Sequence, residues 1–413
     1  KIRGKDWRCS VKSVLTYLKS LFTHKDVFFN FFMCIVWGNM LLGYTRGIIN
    51  HLPLLNQYTD QVIIAIVVIP LFLSIPLLIN KFTLFDYTFF AILIVIYVTN
   101  YAIHPENTEY LNKNAYNCLC LASPMYFWGR IADEKYYKIF TYISIICIAM
   151  SVFYFAHYAQ IAKNISEVAS DDNMYVAYNI LPHVTLLLWN SLNKFNILHI
   201  VFMIVGVLFL LSCGTRGPLV CLAFFGIIYF IFFMNFKFAF LIKGIILSIA
   251  GIMLLFLHEI ISYIAFMFTG LNLSTRILDK IISGELGNDS GRSSIKIVFY
   301  KILDNSDSIT GIGYFGSQRF GYIYPHDIIL DFQLSYGYVL GDILLASICC
   351  LCVLAIYYSK TKHERCMIIM MFSFTIIKLF LSSTFLTEMF FYALIGYCCK
   401  ILLDNKNARI GHE

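Results

Sequence analysis

The chain has 413 residues, of which 59% are hydrophobic and only 13% charged. An ordinary soluble domain carries about 25% charged residues, so a large soluble enzyme is excluded. The formal charge of +7 does not mark a nucleic-acid binder, because the lysines and arginines sit in short loops between apolar runs.

The basic start Lys1–Lys25 leads directly into an apolar run with no small-residue cleavage motif, so no cleavable signal peptide is expected. Lys1 stands where a Met would begin a native chain, which leaves room for a few preceding residues. Apolar runs of about 20 residues, the length that crosses a hydrocarbon core as a helix, then recur. Spans are predicted near 27–45, 61–80, 82–103, 114–130, 137–160, 175–192, 195–213, 217–235, 244–268, 327–358, 366–383 and 385–402. The expected fold is therefore an all-α polytopic membrane protein with about 12 transmembrane helices. Its plan is a basic N-terminus over 1–26, helices one to nine over 27–268, a large loop over 269–325, helices ten to twelve over 326–402 and a tail over 403–413.

With a cytoplasmic N-terminus, twenty Lys and Arg fall on the cytoplasmic side, against Arg46, Lys113, Lys163 and Arg216 in the short loops opposite. That asymmetry predicts that both termini face the cytoplasm and that the large loop lies outside. The outer short loops are also acidic, through Glu106, Glu109, Glu167, Asp171 and Asp172. Most of the thirteen cysteines lie inside apolar runs and none lies in the loop, so neither a disulfide framework nor a zinc-knuckle spacing is visible.

The interruption Gly270–Pro325 is where polar chemistry is to be sought, since polar residues at a bilayer boundary need a reason to be there. Its basic residues Arg276, Lys280, Arg292, Lys296, Lys301 and Arg319 nearly balance Asp279, Glu285, Asp289, Asp304 and Asp307, and most of these charges read as a solvated surface. Arg276 and Arg292 stand out because each adjoins a membrane-seeking segment. After Arg292, the residues Ile295, Val298, Phe299 and Ile302 fall at i, i+3, i+4 and i+7, which predicts a short helix lying on the membrane surface, capped by Asp289 or Ser290.

Arg216 sits in Cys213-Gly214-Thr215-Arg216-Gly217-Pro218, a tight turn in which Pro218 starts the next helix. With little freedom it is expected to point into the bundle mouth, although an interfacial arginine that merely snorkels to water would look similar. Three arginines at one face would offer bidentate donors suited to a diphosphate. Gly311-Ile312-Gly313-Tyr314-Phe315-Gly316 matches G-x-G-x-x-G but has no βαβ context, so it is expected to be a turn that brings backbone close to membrane or substrate.

His326 is the sharpest single candidate. Pro325 favours the first position of a helix, which would put His326 at the positive end of the dipole, with a neutral ring able to accept a proton. Asp327 and Asp331 follow it, and Tyr324 precedes it as a possible lining residue together with Asp331. No HExxH, DxD or serine-triad pattern accompanies it, so no metal and no cofactor is expected. Lys378 and Glu388, at membrane depth in the last two spans, are expected to pair across Ser382-Ser383-Thr384 or to line the cavity.

Four pieces stand in a telling order: Thr215-Arg216-Gly217 at a span boundary, the long outer loop, Ser290-Gly291-Arg292 within it, and Pro325-His326-Asp327-Ile328-Ile329-Leu330 at re-entry. The last continues into Tyr336-Gly337-Tyr338-Val339-Leu340-Gly341. In these features the chain resembles the O-antigen polymerase and O-antigen ligase superfamily of bacterial membrane proteins. The resemblance implies a metal-independent glycosyltransferase of GT-C architecture in the bacterial inner membrane, with its active site facing the periplasm. The implied donor and acceptor are oligosaccharides on undecaprenyl diphosphate; membrane lipids and a chain-length regulator protein are implied partners, and nucleic acid is not.

By position, Arg216, Arg276 and Arg292 would hold the diphosphate, and His326 would be the base on the acceptor hydroxyl. Asp327 departs from the Asn common in the family and would either orient the ring or act as an accessory base. The Ile-, Phe- and Tyr-rich texture favours a polymerase over a ligase that passes the chain to lipid A–core. A lipid-linked oligosaccharide flippase would predict charged residues within mid-chain spans and a repeated half, and neither is visible.

Overall fold

The computed structural model describes residues 27–38, 56–58, 61–62, 65–66, 69–70, 73, 82–162, 169–233, 257–270, 275–283, 292–306 and 310–410. Every regular element among them is helical, and there is no strand. Two of these helices, Leu84–Ile103 and Tyr338–Tyr358, are long and apolar enough to cross a membrane, and Ile197–Ser212 and Arg216–Phe232 are shorter apolar helices. The expected second span falls mostly outside the described residues, and the ninth is described only from Leu257.

The chain divides into two compact units, Lys1–Ile92 with Ala132–Cys147, and Leu93–Ile131 with Ile148–Glu413. The first is held by aromatic packing fixed with polar ties. Trp37 stacks on Phe140 at 4.8 Å, its indole N–H donates to the Ser144 hydroxyl at 3.1 Å, and the Tyr136 hydroxyl donates to Asn30 at 2.7 Å. Buried indole and phenol groups need such partners, and these polar pairs set the register of the contact.

The second unit contains helices Ala169–Asn193, Ile197–Ser212, Arg216–Phe232, Tyr338–Tyr358, Lys362–Phe372 with its continuation Ser373–Ile377, and Met389–Ile410. One set of ends gathers where the Lys362 ammonium and the Tyr229 hydroxyl both reach Asn193 Oδ1, at 2.7 and 2.8 Å, and where Asn405 donates to the Tyr358 carbonyl. The opposite ends carry residues 213–217, 324–331 and 378–388.

Glycines permit the closest helix crossing. A Cβ on Gly129 would lie 1.9 Å from the Ala393 carbonyl oxygen, and one on Gly396 would lie 2.0 Å from that of Tyr126. Helix Met125–Ile131 therefore lies backbone to backbone on Met389–Ile410, where any larger residue would force the pair apart.

The expected span 327–358 is two helices, Ile328–Tyr336 and Tyr338–Tyr358, because Gly337 adopts φ 80° and ends the first. A Cβ on Gly341 would touch the backbone of Phe332 at 2.7 Å, so the second helix folds back across the first. Hydropathy sees one apolar run here, whereas the left-handed region open to glycine lets the chain turn. The expected fourth span begins earlier, at Thr108, and passes through a π-helical turn, Tyr116–Ala122, before Met125–Ile131.

Substituting Gly396→Ala should lower the unfolding midpoint of the detergent-solubilised protein, since overpacking costs about 1–3 kcal/mol. Gly226→Ala, where the nearest neighbour is a Leu188 methyl at 4.0 Å, should leave it unchanged or raise it slightly. Equal midpoints for the two variants would contradict the close crossing.

Candidate active site

The segment Tyr324–Asp331 is fixed from two sides. On one side is helix Arg292–Asp304, which forms as the spacing of Ile295, Phe299 and Ile302 anticipates. Most of its apolar face is spent on protein, however. Phe299 and Leu303 are fully buried with Ile312, Leu330 and Leu334, and Ile295 and Ile302 pack against them. The expected face for the membrane surface is thus the face that joins the loop to helix Ile328–Tyr336. Asp289 and Ser290, the expected caps, lie outside the described residues.

The same core explains the glycine run. The backbone N–H groups of Ile312 and Gly313 donate to the Leu334 carbonyl, at 2.8 and 3.1 Å, and a Cβ on Gly311 would lie 2.4 Å from that oxygen. The run closes the C-terminal end of helix Ile328–Tyr336, whose last carbonyls have no partner within the helix. The close approach is to protein backbone rather than to membrane or substrate.

On the other side is the turn between Lys378 and Glu388, clamped at its base by an ion pair between those two residues. Ser382 shares a hydrogen bond with the Tyr324 hydroxyl at 3.1 Å, the Phe385 N–H donates to Asp331 Oδ2 at 3.1 Å, and the Leu381 carbonyl lies 3.4 Å from His326 Nδ1. Asp331 is thereby buried as an acceptor for this turn, and Tyr324 covers the histidine with ring centroids 4.4 Å apart.

His326 does not open the helix. Asp327 takes the N-cap, accepting from the Ile329 N–H at 2.9 Å, and His326 stands before it at φ 58°. With Asp327 as the cap, the helix starts at Ile328, three residues after the expected start at Pro325. Left-handed backbone at a non-glycine residue costs on the order of 1–3 kcal/mol and clusters at functional sites. Ser383, in the facing turn, is also left-handed, at φ 74°.

Burial, rather than a helix dipole, is what disfavours the charged form of the His326 ring. Burial lowers its pKa below 6.5; the contact with the Leu381 carbonyl opposes this, and Arg292 and Lys296 add to the lowering. A carbonyl only accepts, so the ring proton is assigned to Nδ1 and Nε2 is left as the acceptor. Asp327 does not orient the ring. Its oxygens are engaged by the Ile329 N–H and, at 2.5 Å, by the Lys296 ammonium.

The arginines fall into place unequally. Arg292 opens its helix within electrostatic range of both His326 and Tyr178. Arg216 is the first residue of helix Arg216–Phe232. A Cβ on its neighbour Gly217 would lie 1.9 Å from the Tyr178 hydroxyl, so the Arg216 turn abuts the same tyrosine. Arg276 opens helix Arg276–Ile282, whose Leu278 is buried with Ile261, Ala265 and Phe268 and packs beside Leu211 and Leu219, which flank that turn.

Two residues missed in the sequence belong here. Lys296 reads in the sequence as one more solvated charge, but it holds Asp327. Tyr178 sits buried in helix Ala169–Asn193 with the Lys378 ammonium 5.1 Å from its ring centroid, and one tyrosine in an apolar helix carries no sequence signal.

Compared with known proteins, the chain matches no family model, no curated protein and no solved structure.

The neutral ring is open to measurement. In ¹⁵N-histidine spectra of the full-length protein, the resonance lost in His326→Gln should titrate below pH 6.5, and Lys296→Met should move its midpoint upward, because removing a nearby cation favours the charged ring. An unchanged midpoint in Lys296→Met would contradict the electrostatic assignment.

Proposed function

We propose that the protein is an O-antigen polymerase, joining undecaprenyl-diphosphate-linked oligosaccharide repeats at the periplasmic face of the bacterial inner membrane. In this reading the chain is a GT-C-type enzyme of about twelve spans with both termini cytoplasmic. The observation that carries it is the convergence of a half-buried histidine, whose Nε2 is left as an acceptor, with two cations, Arg292 and Lys296, beside the turn that bears Arg216.

The chemistry follows from those groups. An acceptor hydroxyl attacks the anomeric carbon of the donor sugar while His326 Nε2 takes its proton. The bond between that carbon and the phosphate oxygen breaks, and its electron pair leaves with undecaprenyl diphosphate. Arg292 and Arg216 offset the charge that develops on the leaving diphosphate, the usual way such a site lowers its barrier. The Thr215 hydroxyl, buried without a hydrogen-bond partner at the start of the Arg216 helix, offers a further donor to a phosphate oxygen. The histidine needs no metal for this step, since its intrinsic pKa suits proton transfer near neutrality. Arg276 is assigned to the same diphosphate from its position beside the Arg216 turn.

The lipopolysaccharide profile of a deletion strain tests the reading. Core carrying one repeat is expected, and bare core with lipid-linked polymer accumulating would instead indicate a ligase. Complementation with His326→Ala should restore no long chains although the variant still inserts in the membrane. Arg292→Ala and Arg216→Ala should each cut chain extension by roughly 10²-fold or more, the scale of losing one charge-stabilising donor. Full-length chains from His326→Ala would overturn the base assignment.

A further inference from the structure

A cleft of about 710 Å³ in the second unit does not contain His326. It lies between the segment after helix Leu84–Ile103, helix Arg292–Asp304, and the loop from Thr310 to Phe320. Its size falls within the roughly 300–1,000 Å³ of small-molecule sites.

The cleft and the His326 cluster share one helix. Arg292 and Lys296 lie toward its start, whereas Val298, Lys301, Ile302 and Asn305 follow the i, i+3, i+4, i+7 spacing and line the cleft. At about 1.5 Å of rise per residue, Lys301 stands about 8 Å along the axis from Lys296. A ligand in the cleft therefore extends toward the reacting centre without occupying it.

The walls are firmly built. Asn107 donates to the Ile312 carbonyl at 2.7 Å, the Tyr314 N–H donates to Asn100 at 2.8 Å, and Gly313 abuts the His104 ring. Arg319 is held to Glu106 at 2.9 Å. Burial raises the Glu106 pKa, but its own backbone hydrogen bond, Arg319 and His104 together lower it below its ordinary value, so the carboxylate is charged.

The chemistry of the lining is mixed in a specific way. Val298 and Ile302 give the cleft an apolar lining, and Glu106, Arg319 and Asn305 add hydrogen-bonding groups to it. The Phe320 ring is 40% exposed at the edge, with the Arg319 guanidinium 5.5 Å from its centroid. The Lys301 ammonium has no ion-pair partner among the described residues. Apolar and hydrogen-bonding groups in one cleft, with a partly exposed aromatic ring, suit a molecule that has C–H faces and hydroxyl edges. They suit neither a lipid tail nor a nucleotide, which would need a cradle of backbone amides.

We propose that this cleft binds a saccharide chain, stacked on Phe320 and hydrogen-bonded to its lining, with Lys301 recognising an acidic sugar. The assignment of that sugar as part of a transferase substrate rests on the function proposed above; the binding site itself does not.

The test uses the full-length protein in lipid nanodiscs, with two lipid-free probes, chitotetraose as a neutral tetrasaccharide and tetragalacturonic acid as an acidic one, followed by saturation-transfer NMR. Both are expected to bind, the acidic one more tightly. Phe320→Ala should weaken both by roughly tenfold, the scale of one lost aromatic contact, and Lys301→Ala should weaken only the acidic probe, by several-fold. Binding should be intact in His326→Ala, so a failed polymerase reading would leave this site standing, and the reverse. Absence of binding by either probe, or wild-type binding in both Phe320→Ala and Lys301→Ala, would overturn the proposal.

Discussion

The arrangement depends on how the broken helix at Gly337 is closed. A helix that ends among apolar neighbours leaves carbonyls that water cannot reach, and each such group costs several kcal/mol if unpaired in a lipid-like setting. The loop supplies the missing partners when Ile312 and Gly313 donate to the Leu334 carbonyl. Only glycine accepts the required approach, since a Cβ on Gly311 would collide with that oxygen and with the Gly337 nitrogen. A long polar segment is thereby pinned to the apolar part of the fold at one point.

That single pin positions much else. With Ile312 held, Phe299 and Leu303 can bury against Leu330 and Leu334, which lays helix Arg292–Asp304 along helix Ile328–Tyr336. Laid there, Lys296 reaches Asp327 and Arg292 comes within range of His326. The same loop, through Tyr314 and Arg319, is tied to Asn100 and Glu106 and forms the wall of the cleft. The ion pair of Lys378 with Glu388 performs the matching task opposite, shaping the turn whose Leu381 carbonyl and Ser382 hydroxyl receive His326 and Tyr324. Buried ion pairs contribute little net stability, so a geometric role is the better account of this one.

What was legible in the sequence divides along physical lines. Apolar length reported helices such as Leu84–Ile103, Ile197–Ser212 and Arg216–Phe232 to within a few residues, because hydrophobic runs and helix length obey the same constraint. The helix after Arg292 was visible in its 3.6-residue period, but its partner was not. A period says which residues share a face, and whether lipid or protein covers that face is settled by distant residues such as Leu330. His326 was visible through its neighbours, whereas its left-handed backbone was not, because Asp327 competed for the cap. Tyr178 and Lys296 were invisible for another reason: nothing local distinguishes them, and both act only through contacts made across the fold.

In the proposed function, His326 and the arginines carry out glycosyl transfer from a lipid diphosphate without a metal. Purified protein in nanodiscs, supplied with undecaprenyl-diphosphate-linked repeat units and an excess of EDTA, gives the most direct measurement. The account predicts a ladder of lengthening glycans with one undecaprenyl diphosphate released for each linkage formed. No ladder, or a ladder abolished by EDTA and restored by a divalent cation, would contradict it.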